Sequence, residues 1–209
     1  MEKLDLTKFY KTYHKATNKP ELVTIEPARY ISIEGKGDPS AHEFTNCLQA
    51  LYSTVYTLKF AFKVKQKDFV VAKLEGLWWF DEAKFDVGSM EEAPLKVPRN
   101  EWNYRMMIRL PEFVKEEDIQ LAKKNVFEKK GISLVSNVEF FQMEEGLSVQ
   151  MLHLGPFNKE PETLKEMLTF METKKLGKNG LHHEIYLSDF NKTAPEKLKT
   201  ILREPVMQE

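Results

Sequence analysis

The segment His182-His183-Glu184-Ile185-Tyr186-Leu187-Ser188-Asp189 places a carboxylate two residues from a phenol. Its period-2 alternation and its branched and aromatic residues predict a strand. His182, Glu184, Tyr186 and Ser188 then share one face, and His183, Ile185 and Leu187 the other. Such a polar face is either solvated surface or the floor of a pocket. In a pocket, aromatic rings desolvate the carboxylate, raising its pKa and making it a stronger base once ionised. It also attracts a ligand cation, to which the rings add cation–π contacts. Leu74-Glu75-Gly76-Leu77-Trp78-Trp79 repeats the theme, with a glutamate three residues before a tryptophan. Adjacent tryptophans on a strand point to opposite faces, so one enters the core while the other covers or lines something. Trp102 and Tyr104 share a face of a further strand. Several large rings on a sheet form either a platform for a flat aromatic ligand or a surface on which helices pack.

Other chemistries find less support. His182 and His183 face opposite ways, so at most one joins Glu184, and no H-E-x-x-H motif exists. No metal and no other cofactor is expected. Cys47, the single cysteine, falls on the apolar stripe of a helix and reads as a small inert hydrophobe. No G-x-S-x-G elbow is present. Gly35-Lys36-Gly37-Asp38-Pro39-Ser40 lacks the third glycine of a dinucleotide loop and reads as a turn before a helix, either with Asp38 as N-cap and Pro39 at the first helical position or with Ser40-Ala41-His42-Glu43 as a competing capping box.

These groups need elements to position them. Leu22 to Glu34 reads as a first strand interrupted by Pro27. Ala41 to Lys63 reads as a long helix, with Phe44, Cys47, Leu48, Leu51, Val55, Leu58 and Phe62 forming one apolar stripe. Tyr52, Tyr56 and Phe60 flank that stripe and either widen the core face or wall a ligand site. Phe69 to Phe80 and Trp102 to Leu110 are strands, joined by a polar segment, Asp81 to Asn100, long enough for a lid or flap. Glu116 to Lys130 is an amphipathic helix with acids at its start, lysines at its end and Gly131 beyond. Val138–Met143 and Leu147–Leu154 look like a hairpin around Glu144-Glu145-Gly146. A helix over Pro161 to Thr173, the His182 strand and a strand over Leu198 to Val206 complete the chain.

The order strand, helix, strand, strand thus occurs twice, which suggests an internal duplication. In that register Glu75 matches Glu184, and each half would give one carboxylate and one aromatic to a common groove.

The chain has 209 residues, 42% hydrophobic and 11% aromatic, and a formal net charge of -1. That composition describes a folded protein with a sizeable core and no global basic field for nucleic acid. No apolar run is long enough for a membrane span, and the N-terminus has no signal-peptide pattern. The expectation is a soluble cytoplasmic protein of unspecified oligomeric state. Residues 1–20, with five lysines among Phe9, Tyr10 and Tyr13, read as a loosely docked arm; such an arm could touch nucleic acid, but anchoring of its rings onto the body of the domain is commoner. Residues 21–209 form one domain: a first repeat over about 21–111, a linking helix over 116–130 and a second repeat over about 138–209.

Leu74-Glu75-Gly76-Leu77-Trp78-Trp79, the turn Gly35-Lys36-Gly37-Asp38-Pro39, and His182 to Asp189 through Thr193-Ala194-Pro195-Glu196-Lys197-Leu198-Lys199-Thr200-Ile201 resemble stand-alone GyrI-like proteins. The resemblance covers nearly the whole chain and extends to the effector-binding domains of multidrug-responsive transcription activators. It implies an α+β fold of duplicated strand-helix-strand-strand (SHS2) units with pseudo-twofold symmetry, an antiparallel sheet with helices on one face and a ligand groove between the repeats. It implies a planar hydrophobic or cationic aromatic ligand in that groove, with Glu184 at its bottom. Some members resembling this chain are cyclopropanoid hydrolases, which detoxify DNA-alkylating natural products. With Glu184 matched to the family's glutamate, the expected catalytic residues are Glu184, to polarise a water, and Tyr104, to donate or orient a hydrogen bond; the ring-bearing faces and the repeat add Trp78, Trp79, Tyr186, Glu75, Trp102 and Tyr56 as expected ligand-binding residues. The alternative is a drug-binding or effector-sensing module without chemistry, acting on transcription or gyrase through a partner. The first twenty residues cannot hold a helix-turn-helix, so direct nucleic-acid binding is not expected.

Overall fold

The computed structural model describes residues 3–89 and 91–208; Met1, Glu2, Met90 and Glu209, the ends of the arm and domain and one lid residue among them, lie outside these. Pro27 decides the first departure from expectation. It has no amide hydrogen for a ladder, and the first strand is two strands: β1, Glu21–Ile25, and β2, Ala28–Lys36. The remaining strands are β3, Leu74–Trp79; β4, Asn103–Arg109; β5, Glu139–Met143; β6, Gly146–Leu154; β7, Leu176–Lys178; β8, His182–Tyr186; and β9, Lys199–Gln208. Among the described residues they form one nine-stranded sheet in the order β1-β6-β9-β8-β3-β4-β2-β5, with β7 pairing with β9. Every pairing is antiparallel.

The hairpin expected around Glu144-Glu145-Gly146 does not form. β5 pairs with β2, whereas β6 pairs with β1 and β9. Two residues join β5 to β6 and two join β1 to β2, although each joined pair sits at opposite ends of the strand order. Three Cα–Cα steps span at most about 11 Å, so the two ends of the sheet lie side by side and the sheet curls upon itself.

The concave side of the curl holds a core that includes Tyr30, Leu77, Met107, Ile185 and Ile201. The N-terminal segment fills it. Asp5 caps a one-turn helix, α1, Leu6–Phe9, and Leu6, Tyr13 and His14 are buried. The arm expected to dock loosely is a plug.

The helices occupy the other face. α2, His42–Val64, buries Phe44, Cys47, Leu51, Val55, Leu58 and Phe62 at the predicted three- and four-residue spacing. Each such large apolar side chain contributes about 1.5–3 kcal/mol on full burial. Asp38 shapes the turn instead of capping α2: its carboxylate accepts from the Ser40 amide, and the helix begins later. The lid segment contains α3, Ala93–Lys96, whose Ala93 packs with Phe80 and Val97. α4, Glu116–Lys130, packs beside α2 and ends on Gly131 in the left-handed conformation. α5, Glu160–Lys174, covers β6 and β9 through Leu164, Met167 and Met171. The chain thus runs β2-α2-β3-α3-β4 and later β6-α5-β7-β8-β9, with β3 and β8 paired in the middle of the sheet.

Candidate functional site

Directly paired residues of an antiparallel ladder share a face. Gly76 pairs with Glu184, Trp78 with His182 and Leu74 with Tyr186. These six look towards the helices. Their neighbours Glu75, Leu77, Trp79, His183 and Ile185 look towards the plug.

Over the β3–β8 pair, between the starts of α2 and α5, lies a groove of about 410 Å³. Each helix is entered through a glycine with positive φ, Gly37 at +127° and Gly155 at +129°. The residues just beyond, Pro39 and Ser40 on one side and Phe157 and Asn158 on the other, line the groove. Trp78, His182, Glu184 and Tyr186 form its floor, while Pro94 and Arg99 of the lid segment and Trp102, just before β4, close it.

The walls are two clusters of rings. Phe44 stacks on Trp78 at 6.2 Å, and Trp102 meets Trp78 edge-on at 6.5 Å. Opposite, Tyr186 lies 5.9 Å from both Phe157 and Phe190, ring centre to ring centre. One hydrogen bond joins the clusters, from Trp78 Nε1 to the Tyr186 hydroxyl at 3.0 Å.

Charge is concentrated on the floor. His182 Nδ1 lies 2.5 Å from Glu204 Oε1, and its Nε2 lies 3.4 Å from Glu184 Oε1. Burial alone favours neutral imidazole, but the two carboxylates outweigh it and push His182 up to about 10. The imidazolium therefore holds Glu184 from beneath. Glu160, the first residue of α5, is buried in the groove wall and its Oε1 has no protein partner. Burial, then the negative charge of Glu184, pushes its carboxyl well above the usual range. The same two causes, in the same order, hold Tyr186 as a neutral phenol.

The structure brings together Glu184, Trp78, Tyr186 and Trp102 of the expected site. It does not bring Glu75 or Trp79, which lie on the opposite face. Glu75 is fully buried there; it accepts from the Tyr13 hydroxyl and lies 3.0 Å from His183 Nε2. The expected register, one carboxylate from each half, is off by one residue, and a shift of one turns a strand residue to the other face. Gly76, not Glu75, stands opposite Glu184. Tyr104 is buried behind Trp78, and its hydroxyl points to Cys47 Sγ at 3.7 Å. It supports the aromatic wall without lining the groove. Tyr56 is 45% exposed on the outside of α2, stacked between Tyr52 and Phe60.

Phe44, Phe157, Phe190, Glu160 and His182 complete the site beyond the residues expected in it. The signal for Phe44 and Phe157 was present: each follows a glycine-proline turn at the start of a helix. Among the described residues no group of three or more His, Cys, Asp or Glu is placed to hold a metal ion. None of their helices is long and apolar enough to cross a membrane.

No curated protein matches the chain. Solved structures do. An uncharacterized conserved protein from Listeria innocua is 39% identical, with a TM-score of 0.88 over 98% of this chain and 100% of that one. A hydrolase from Listeria innocua is 37% identical, with a TM-score of 0.84 over the same shares of the two chains. The C-terminal domain of EcmrR, 11% identical with a TM-score of 0.57 over 91% of this chain and 98% of that one, shares the fold. The model of the GyrI-like small molecule binding domain matches residues 18–206, and with that span, nearly the whole chain, this protein belongs to the GyrI-like family.

Proposed function

We propose that the groove captures planar hydrophobic or cationic aromatic compounds and that Glu184 activates a water there to open a cyclopropane ring, detoxifying cyclopropane-containing genotoxins. The observation that carries this reading is the Glu184 carboxylate on the floor of a groove lined by the rings of Phe44, Trp78, Trp102, Phe157 and Phe190. The rings stack on a flat ligand and exclude bulk water, which positions the attacking water and strengthens every charge in the site. The 37% identical hydrolase from Listeria innocua supports the catalytic half of the reading.

In the reaction the water oxygen forms a bond to a ring carbon as the strained carbon–carbon bond breaks. The electron pair of that bond stays with the remainder of the ligand, which later gains a proton. Glu184 takes the proton that the water loses. The His182 imidazolium steadies the carboxylate beforehand, and Tyr186, fixed by the Trp78 N–H, borders the same space.

Glu184→Gln tests the assignment, with ring opening of a cyclopropane-containing DNA alkylator followed by mass spectrometry. A general base contributes roughly 10²–10⁴ in rate, so turnover should fall by at least about 100-fold while tryptophan quenching by the ligand persists. Full turnover by the variant would refute the role of Glu184. Quenching by the wild type without any product would leave a sequestering or effector-sensing module.

A further inference from the structure

The hydrolytic reading leaves one buried ionisable group in the groove without a task. Glu160 Oε1 is shielded from solvent yet meets no donor or acceptor of the protein. Buried polar atoms find partners, because leaving them unmade is costly. Among the described residues no protein group takes that place, so a molecule in the groove can.

Its surroundings define that partner. Glu184, His182 and Tyr186 approach from β8, Glu204 from β9 beyond His182, and Arg99 from the lid segment. His153, on β6, hydrogen-bonds Thr163 of the same helix as Glu160, and Lys159 and Glu162 flank Glu160 in sequence. The nearest cation, His182, already lies between Glu184 and Glu204. A second carboxylate facing Glu184 with no cation of its own is disfavoured, and an un-ionised acid carries a hydrogen to give.

We infer that Glu160 is the hydrogen-bond and proton donor of the groove, and that the ligand is a planar aromatic bearing a carbonyl oxygen for it to hold. This rests on the capture and hydrolysis of aromatic ligands by the same groove. When the ring opens, the electron pair of the broken bond moves into the conjugated carbonyl, and its oxygen becomes anionic. Glu160 gives that oxygen a proton, while Glu184 holds the proton taken from water. After product leaves, one proton passes through water from Glu184 to Glu160. The sum is addition of one water, with both acids restored.

The test separates this inference from the reading beneath it. Fluorenone and fluorene differ in one carbonyl, and binding of each is measured by tryptophan quenching with wild type, Glu160→Gln and Glu160→Leu. Wild type should prefer fluorenone by roughly five- to tenfold. Glu160→Leu should lose the preference, and Glu160→Gln, which still donates, should retain part of it. With a cyclopropane substrate, Glu160→Gln should lower kcat by about 100-fold and remove the alkaline limb of its pH profile. Equal affinity of wild type for the two probes, or Glu160→Gln with unchanged kcat and pH profile, overturns the role of Glu160. Carbonyl preference without ring opening by wild type overturns hydrolysis but leaves the Glu160 hydrogen bond standing. Binding of neither probe overturns both.

Discussion

A hydrogen atom in place of a side chain sets the geometry of the groove floor. A Cβ on Gly76 would lie 2.9 Å from Trp78 Nε1, 3.1 Å from the Tyr186 hydroxyl and 3.2 Å from the Met106 sulfur. The residue opposite Glu184 must therefore be glycine for the indole and phenol to meet. Gly76→Ala should displace Trp78, destabilise the fold by about 1–3 kcal/mol and weaken aromatic binding; thermal unfolding and tryptophan quenching report the two effects. A variant with unchanged stability and affinity would show that the bridge tolerates a methyl group. At this scale the shared face of Glu184 and Tyr186 was legible, because alternation along a strand assigns faces; which of Trp78 and Trp79 joins them was not, since alternation says only that the two part ways. Glu160 was not. An acid before Pro161 at a helix start looks like an ordinary partner of the helix dipole, and only the chain folded over it reveals its isolation.

Among elements, the polar joint beneath the sheet decides whether the plug stays seated. Arg203 of β9 donates to the Tyr13 carbonyl at 2.7 Å, to Glu145 at 2.9 Å and to Gln150. Glu145 in turn lies 2.8 Å from His183 Nδ1, and the Tyr13 hydroxyl reaches both Tyr30 and Glu75. Fully buried charges are stabilising only when each is paired. Arg203→Ala should cost about 3–5 kcal/mol, seen as a lower urea midpoint and freer proteolysis near Tyr13. A loss below 1 kcal/mol, about the value of an exposed pair, would mean the joint is idle. The helices were the most readable elements: α4 occupies the span that its terminal charges and Gly131 marked. Local signals sufficed there. The pairing of β1 with β6 and of β5 with β2 left no local trace, since partners more than a hundred residues apart share no turn to announce them. The hairpin was misread for that reason.

The molecule as a whole should be most stable a little below neutral pH. Glu145 is drawn down to about 2: burial opposes ionisation, but the charges of His183 and Arg203 outweigh it. Its folded pKa lies below the unfolded value of 4.5, so its contribution is present above that pH and is lost as pH falls towards 2. Burial lowers His14 to about 4, which adds a loss between 6.5 and 4 as the unfolded imidazole gains its proton. His182, raised from 6.5 to about 10, contributes fully below 6.5 and loses that contribution as pH rises to 10. Urea midpoints measured across this range should form an asymmetric dome, and His182→Gln should flatten its alkaline side. A midpoint that keeps rising to pH 10 would contradict a protonated His182.

The plug carries a consequence for the order in which the molecule is made. Tyr13 and Arg203 are 190 residues apart, and β9 also holds β6 and β8 in the sheet. On the ribosome, the first half emerges with Tyr13 able to meet Tyr30 and Glu75 but without the Arg203 that holds its carbonyl. Contacts of such sequence separation are slow to form, and surfaces waiting for them are open to misassociation. Synthesis before β9 emerges is thus the interval of greatest vulnerability.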